Sequence, residues 1–149
     1  MKVAIGCDHG GWVLKETVIN TLKELGAEVV DFGTNSCESV DYPEFARAVA
    51  TAVSSGECGL GVLLCGTGIG MSIAANKFKG VRAAVVSDLF SAKATKEHNA
   101  ANVIALGGRI ISPEFAAMII REWYTAEFQG GRHQKRLEML KKIEDENFK

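Results

Sequence analysis

Residues Val62 to Lys77 read VLLCGTGIGMSIAANK: an apolar run that stops on Cys65, glycines at Gly66, Gly68 and Gly70, then a small-residue stretch of helical character. A short apolar run, a tight turn and the opening of a helix form the unit from which parallel α/β sheets are built. This reading puts Cys65 at the C-terminal end of a buried strand, facing loop N–H groups that can bind an anion. A base or nucleophile is thereby paired with an oxyanion cradle. The same turn also serves plain chain reversal, and buried cysteines are commonly inert. The chemistry therefore depends on what other segments deliver to the same place.

Working outward, five β-rich runs alternate with helical patterns: Lys2–Gly6, Glu28–Phe32, Gly61–Cys65, Arg82–Val86 and Asn102–Leu106. Such alternation predicts right-handed crossovers and a five-stranded parallel sheet with helices on both faces, a Rossmann-like three-layer α/β/α sandwich. One domain spans residues 1–149. Lys15, Val18, Ile19, Leu22 and Leu25 form a helical stripe that ends at Gly26, a natural C-terminal glycine. Asp41-Tyr42-Pro43-Glu44 resembles a capping box with an early proline, opening a helix that stops at Gly56. Ser112-Pro113 opens another, and a charged C-terminal helix follows Gly130-Gly131 with Leu137, Leu140 and Ile143 as its apolar side. The expected strand order is 2-1-3-4-5, whose switch point lies between strands one and three. There the loops Cys7–Gly11 and Cys65–Gly70 meet at one crevice.

Composition narrows the function. The 149 residues are 47% hydrophobic and 23% charged with net charge -1, an ordinary globule without the basic excess of a nucleic-acid protein. The start of the chain leads straight into VAIG with no apolar leader, and no stretch approaches the ~20 apolar residues of a membrane span. These features point to the cytoplasm. Cys7, Cys37, Cys58 and Cys65 have neither CxxC spacing nor histidines at metal-ligand intervals, so reduced thiols and no metal site are expected.

Several segments offer polar groups. Asp8 and His9 follow strand one directly and precede two glycines, a placement suited to sugar hydroxyls or, for the histidine, a phosphate. His98-Asn99 lies before the last strand, where a histidine can act as acid or base. Arg132 and Arg136 share a helical face, with His133 beside the first, and Arg109 follows Gly107-Gly108. Guanidinium forks at a helix start make a good phosphate clamp. Familiar schemes fail on the letters. The dinucleotide fingerprint and the C-x5-R phosphatase loop both need another residue where Met71 stands, no Gly-Lys-Ser/Thr exists, and a receiver domain wants aspartate in place of Cys65.

With GCDHGG, DYPEFA, LLCGTGIGMSIAANK, EHNAANVIALGGR and GGRHQKR in register, the chain resembles the type B ribose-5-phosphate isomerases. That family also includes galactose-6-phosphate isomerase subunits and allose-6-phosphate isomerases. The resemblance implies interconversion of D-ribose 5-phosphate and D-ribulose 5-phosphate through a cis-enediolate, with no metal or organic cofactor. It assigns Cys65 as the base that moves a proton between C1 and C2, and Thr67 with His98 to opening the furanose ring. Gly66, Gly68, Ile69 and Gly70 fall in the loop that holds the enediolate oxygen. Asp8, Tyr42 and Asn99 fall where hydroxyls bind, and His9, Arg109, Arg132 and Arg136 where the phosphate is held. One branch of the family carries a glutamate base at the position of Met71; methionine cannot abstract a proton, so the base falls to Cys65. The resemblance further implies a homodimer with active sites at the subunit interface, and some members form tetramers. Two alternatives stand beside it: isomerisation of a six-carbon aldose 6-phosphate such as allose or galactose 6-phosphate, or a non-catalytic sugar-phosphate-binding subunit.

Overall fold

The computed structural model describes residues 1–148. Strands β1 (Lys2–Cys7), β2 (Glu28–Asp31), β3 (Leu60–Cys65), β4 (Ala83–Val85) and β5 (Val103–Gly107) alternate with helices α1 (Trp12–Glu24), α2 (Tyr42–Ser54), α3 (Ile69–Ala75), α4 (Leu89–Asn99) and α5 (Pro113–Thr125), and α6 (Arg132–Asn147) follows. All pairings are parallel, and the sheet order is β2-β1-β3-β5-β4. The expected class holds, but the last two strands are exchanged. The physical reason is burial. The VIALG run of β5 is wholly apolar and fully buried, as a strand covered on both faces must be. The three residues of β4 are half-buried to exposed, which suits an edge.

Alternate residues of the central strands feed two cores. Val3, Ile5, Val62, Leu64, Ile104 and Leu106 pack with Leu14, Val18, Ile119 and Trp123 of α1 and α5. Ala4, Leu63, Cys65, Val103 and Ala105 face the other way, onto α2 and α3. Small residues on this second face let α2 approach closely. A Cβ at Gly6 would lie only 2.9 Å from the Phe45 carbonyl oxygen. Each fully buried large aliphatic side chain in these layers contributes roughly 1.5–3 kcal/mol of transfer free energy.

Local signals mostly operate as expected. Ser112 caps α5, its Oγ accepting the Phe115 N–H at 3.1 Å, and Asp88 caps α4 by accepting from the Ser91 N–H at 2.7 Å. The box at Asp41–Glu44 is only half realised: Asp41 precedes α2 in an extended conformation, but its side chain accepts no helix amide. Pro43 has no N–H to donate, and the Glu44 N–H turns to the Asp41 main-chain oxygen at 3.4 Å. Lys15, counted in the apolar stripe of α1, is indeed buried. Its ammonium pairs with the Asp31 carboxylate at 2.9 Å and donates to the Thr34 carbonyl at 2.6 Å and Asn35 Oδ1 at 3.0 Å, so the buried charge is paired and hydrogen-bonded. That anchor braces the segment leading from β2 toward Tyr42. No helix among the described residues is long and apolar enough to cross a membrane.

Candidate active site

The crevice forms where β1 and β3 end side by side. The Asp8 N–H donates to the Leu64 carbonyl at 3.0 Å, and the Gly108 N–H donates to the Cys65 carbonyl at 2.8 Å, tying three strand ends together. Cys65 is 5% exposed, and the Gly68 N–H donates to its Sγ at 3.1 Å. An amide aimed at sulfur suits a thiolate, the better acceptor. Gly68 holds φ at +84°, a left-handed conformation that turns its N–H back toward the strand end.

The expectation that the whole loop presents free amides needs correction, because Gly68 is committed to the sulfur and the Ile69 N–H donates to Thr67 Oγ1 at 3.2 Å. The N–H groups of Gly66, Thr67, Gly70 and Met71 find no acceptor among the described residues. These four, at and before the first turn of α3, are the donors open to an oxyanion. Met71 itself is fully buried in the same core as Cys65, in keeping with an apolar and not a basic role.

Around this loop the predicted partners gather. Asp8 is buried, and its Oδ1 accepts from the Gly10 and Gly11 amides at 2.8 and 3.1 Å. One carboxylate oxygen thus shapes the turn, while Oδ2 has no partner among the described residues. His9 Nδ1 accepts the Val40 N–H at 3.2 Å, which leaves its ring proton on Nε2 as a donor. Tyr42 lies against Gly70, where an added Cβ would stand 2.7 Å from the ring. The Arg109 guanidinium lies over Gly66, 2.9 Å from where a Cβ would be. Side chains larger than hydrogen at either glycine would push these two groups aside.

The remaining predicted residues are elsewhere. Helix α4 runs back from the C-terminal edge of the sheet, so His98 and Asn99 at its end lie beside the start of β5. At ~3.3 Å per residue a five-residue strand spans ~17 Å. Within one chain His98 therefore sits at the opposite edge of the sheet from Thr67, with which the resemblance pairs it. Arg132 and Arg136 go with His98: the imidazoles of His98 and His133 are stacked with centroids 4.5 Å apart and planes 12° from parallel. The expected phosphate clamp is split, with His9 and Arg109 at one edge and Arg132 and Arg136 at the other.

Three participants escape a reading of the sequence. Val40 acts through a main-chain N–H, which leaves no trace in residue type. Lys15 looks like one member of an amphipathic stripe. His133 is legible only as a neighbour of Arg132. Among the described residues no cluster of three or more His, Cys, Asp or Glu side chains could hold a metal ion.

The sequence matches the Ribose/Galactose Isomerase family over residues 3–140. It is 50% identical to ribose-5-phosphate isomerase B of Escherichia coli over 143 residues, covering 96% of each chain. The fold superposes on ribose-5-phosphate isomerase B of Clostridium thermocellum with a TM-score of 0.95 at 51% identity, covering 98% of this chain and 99% of that one. It also superposes on the Mycoplasma genitalium enzyme with bound ribulose 5-phosphate, with a TM-score of 0.94 at 38% identity, covering 98% and 97%. Five motifs, one fold and near full-length identity agree, and the chain belongs to the ribose/galactose isomerase family.

Proposed function

We propose that this chain is an aldose–ketose isomerase interconverting D-ribose 5-phosphate and D-ribulose 5-phosphate, with Cys65 as the base. The observation that carries the reading is the Cys65 sulfur at a strand end, accepting one loop N–H while four more rim the same turn. The names of the relatives support the substrate.

Removal of the C2 proton of the open-chain aldose by the Cys65 thiolate leaves negative charge on the carbonyl oxygen. Donors preorganised in a water-poor crevice stabilise that charge by ~3 kcal/mol each. The O2 hydroxyl proton then passes to O1, C1 recovers a proton from the Cys65 thiol as the C2–O double bond forms, and the ketose results. Asp8 Oδ2 and Tyr42 are placed to hold hydroxyls, and Thr67, whose Oγ1 already accepts the Ile69 N–H, keeps its O–H to donate to the sugar. The phosphate does not react; held by His9 Nε2–H and the arginines, it converts binding into orientation of C1 and C2.

The working unit is a homodimer with composite sites. Support comes from the sheet: His98, Asn99, Arg132 and Arg136 lie about one strand length, ~17 Å, from the crevice of their own chain. A second copy whose α4–α6 end covers the crevice supplies ring-opening acid–base chemistry and the other half of the clamp. Mixing Cys65→Ala and His98→Ala chains tests both parts. Each alone is inactive toward ribose 5-phosphate, whereas random reassociation rebuilds one whole site in half of the dimers, about a quarter of wild-type activity. No recovery on mixing sinks the composite site, and no wild-type turnover of ribose 5-phosphate, with turnover of allose or galactose 6-phosphate instead, sinks the substrate assignment.

A further inference from the structure

We propose that His133 is a positioning residue, whose imidazole holds the His98 ring by face-to-face stacking in the orientation needed for furanose ring opening. The inference rests on the isomerase reading above and adds to it a residue with no direct part in the chemistry.

His133 is 8% exposed and is the one buried residue of α6 among those described. A histidine in the first turn of an otherwise solvated helix has to be buried against something, and here that surface is the His98 ring, 4.5 Å away and 12° from parallel. Aromatic rings at such separation attract by dispersion and restrict each other's rotation. The contact is braced on either side. The Gln129 N–H donates to the Glu97 carbonyl at 3.0 Å, and Lys96 Nζ donates to the Trp123 carbonyl at 3.1 Å, fixing the end of α4 against the approach to α6. Gly130 and Gly131 then turn the chain with φ of +66° and +57°, bringing the start of α6 alongside His98.

Charge favours the same division of labour. Burial first, then His98, Arg132 and Arg136, lower the pKa of His133 below the ordinary histidine range. The positive end of the α6 dipole acts in the same sense. His133 is therefore neutral at neutral pH, a flat apolar-faced platform. An acid–base residue on the last turn of a helix has rotamer freedom to lose, and misplacement by ~1 Å can cost up to ~10²-fold in rate.

The experiment compares His133→Ala with His133→Phe in the full-length chain. Phenylalanine retains a stacking ring and removes both ring nitrogens. Interconversion of ribose 5-phosphate, which is mostly ring-closed, is assayed beside enzyme-catalysed exchange of the C1 hydrogen of ribulose 5-phosphate with D2O, which forms the enediolate and returns to the ketose with no furanose to open. Expected for His133→Ala is a fall in kcat/KM for interconversion of about 30-fold, equal in the two directions as the equilibrium constant requires, with the C1 exchange within about 3-fold of wild type, and His133→Phe within about 3-fold in both assays. Equal losses in the two variants, carried by KM, would show instead a ligand of the phosphate and overturn the proposal. An equal loss in interconversion and in C1 exchange for His133→Ala alone would also overturn it, by showing a merely structural role. The NMR ring-current shift of the His98 imidazole protons, expected in wild type and His133→Phe and lost in His133→Ala, is read without any turnover. An absent shift in wild type overturns the stack, whereas a normal shift in a chain inactive on both sugars overturns the isomerase reading instead.

Discussion

Cys7 and Cys65 end neighbouring parallel strands at the foot of one crevice, yet their surroundings are opposite in chemical sense. Cys7 points to the α1 and α5 face, and its thiol donates to the Thr34 carbonyl at 3.7 Å. Burial pushes it up to about 11, with the Lys15 ammonium working against that shift. Cys65 points to the α2 and α3 face and accepts an N–H instead. The Cys7 sulfur is therefore a donor and the Cys65 sulfur an acceptor. One step in strand register thus separates a packing thiol from the proposed base.

The strongest way to break this comparison is to delete each sulfur. Cys65→Ala should lower kcat by at least ~10³-fold with ribose 5-phosphate still binding, the scale expected when a positioned proton-transfer group is lost. Cys7→Ala should stay within about 3-fold in kcat and lose ~1–2 kcal/mol of stability through the small cavity it leaves. Steady-state kinetics, calorimetric ligand binding and urea melts read these outcomes; comparable kcat losses would erase the distinction. Next in size, Gly68→Ala tests the donor itself. An alanine there meets φ +84° and the Ala105 carbonyl carbon at 3.1 Å, so the loop must shift and the N–H to sulfur is disturbed. Loss of one such donor corresponds to ~10²-fold in kcat. Unchanged kcat with an intact fold would mean that this hydrogen bond is incidental.

The smallest effect is on stability in alkali. Because the folded Cys7 value is raised from 9.0 to about 11, its burial contributes stability that is complete below pH 9 and is lost as the pH rises through 11. Melting temperature should fall across that window, and Cys7→Ala should flatten the fall. Mass mapping of iodoacetamide adducts gives the matching chemical readout: at about pH 8 the exposed Cys37 labels first and Cys7 stays unmodified. Labelling of Cys7 at that pH would contradict its enclosure.

Much of this was legible in the residues. Periodicity and glycine punctuation located all five strands to within a residue or two, and Ser112-Pro113 announced its helix because a cap and a proline act locally. The strand order was not local. Whether the chain returns from α3 to the centre or to the edge depends on which run can be covered on both faces, and VIALG outcompetes AAV only once two layers of helices exist. The site followed the same division. Cys65 at a strand end, the loop glycines and the neighbouring Asp8 and His9 were readable because strand polarity and the switch point set them.

The order of apolar, small and turn-forming residues by itself determined that this chain forms a parallel α/β sheet with a thiol and a glycine turn at one strand end, since those choices are made over a few residues at a time. Only the tertiary structure decided which side of the sheet each sulfur faces, which amide is spent on Cys65, that Val40 aims His9, and that His98 lies a strand's length from Thr67. Those outcomes depend on register, helix direction and packing between segments far apart in the chain, where no short stretch of sequence carries the information.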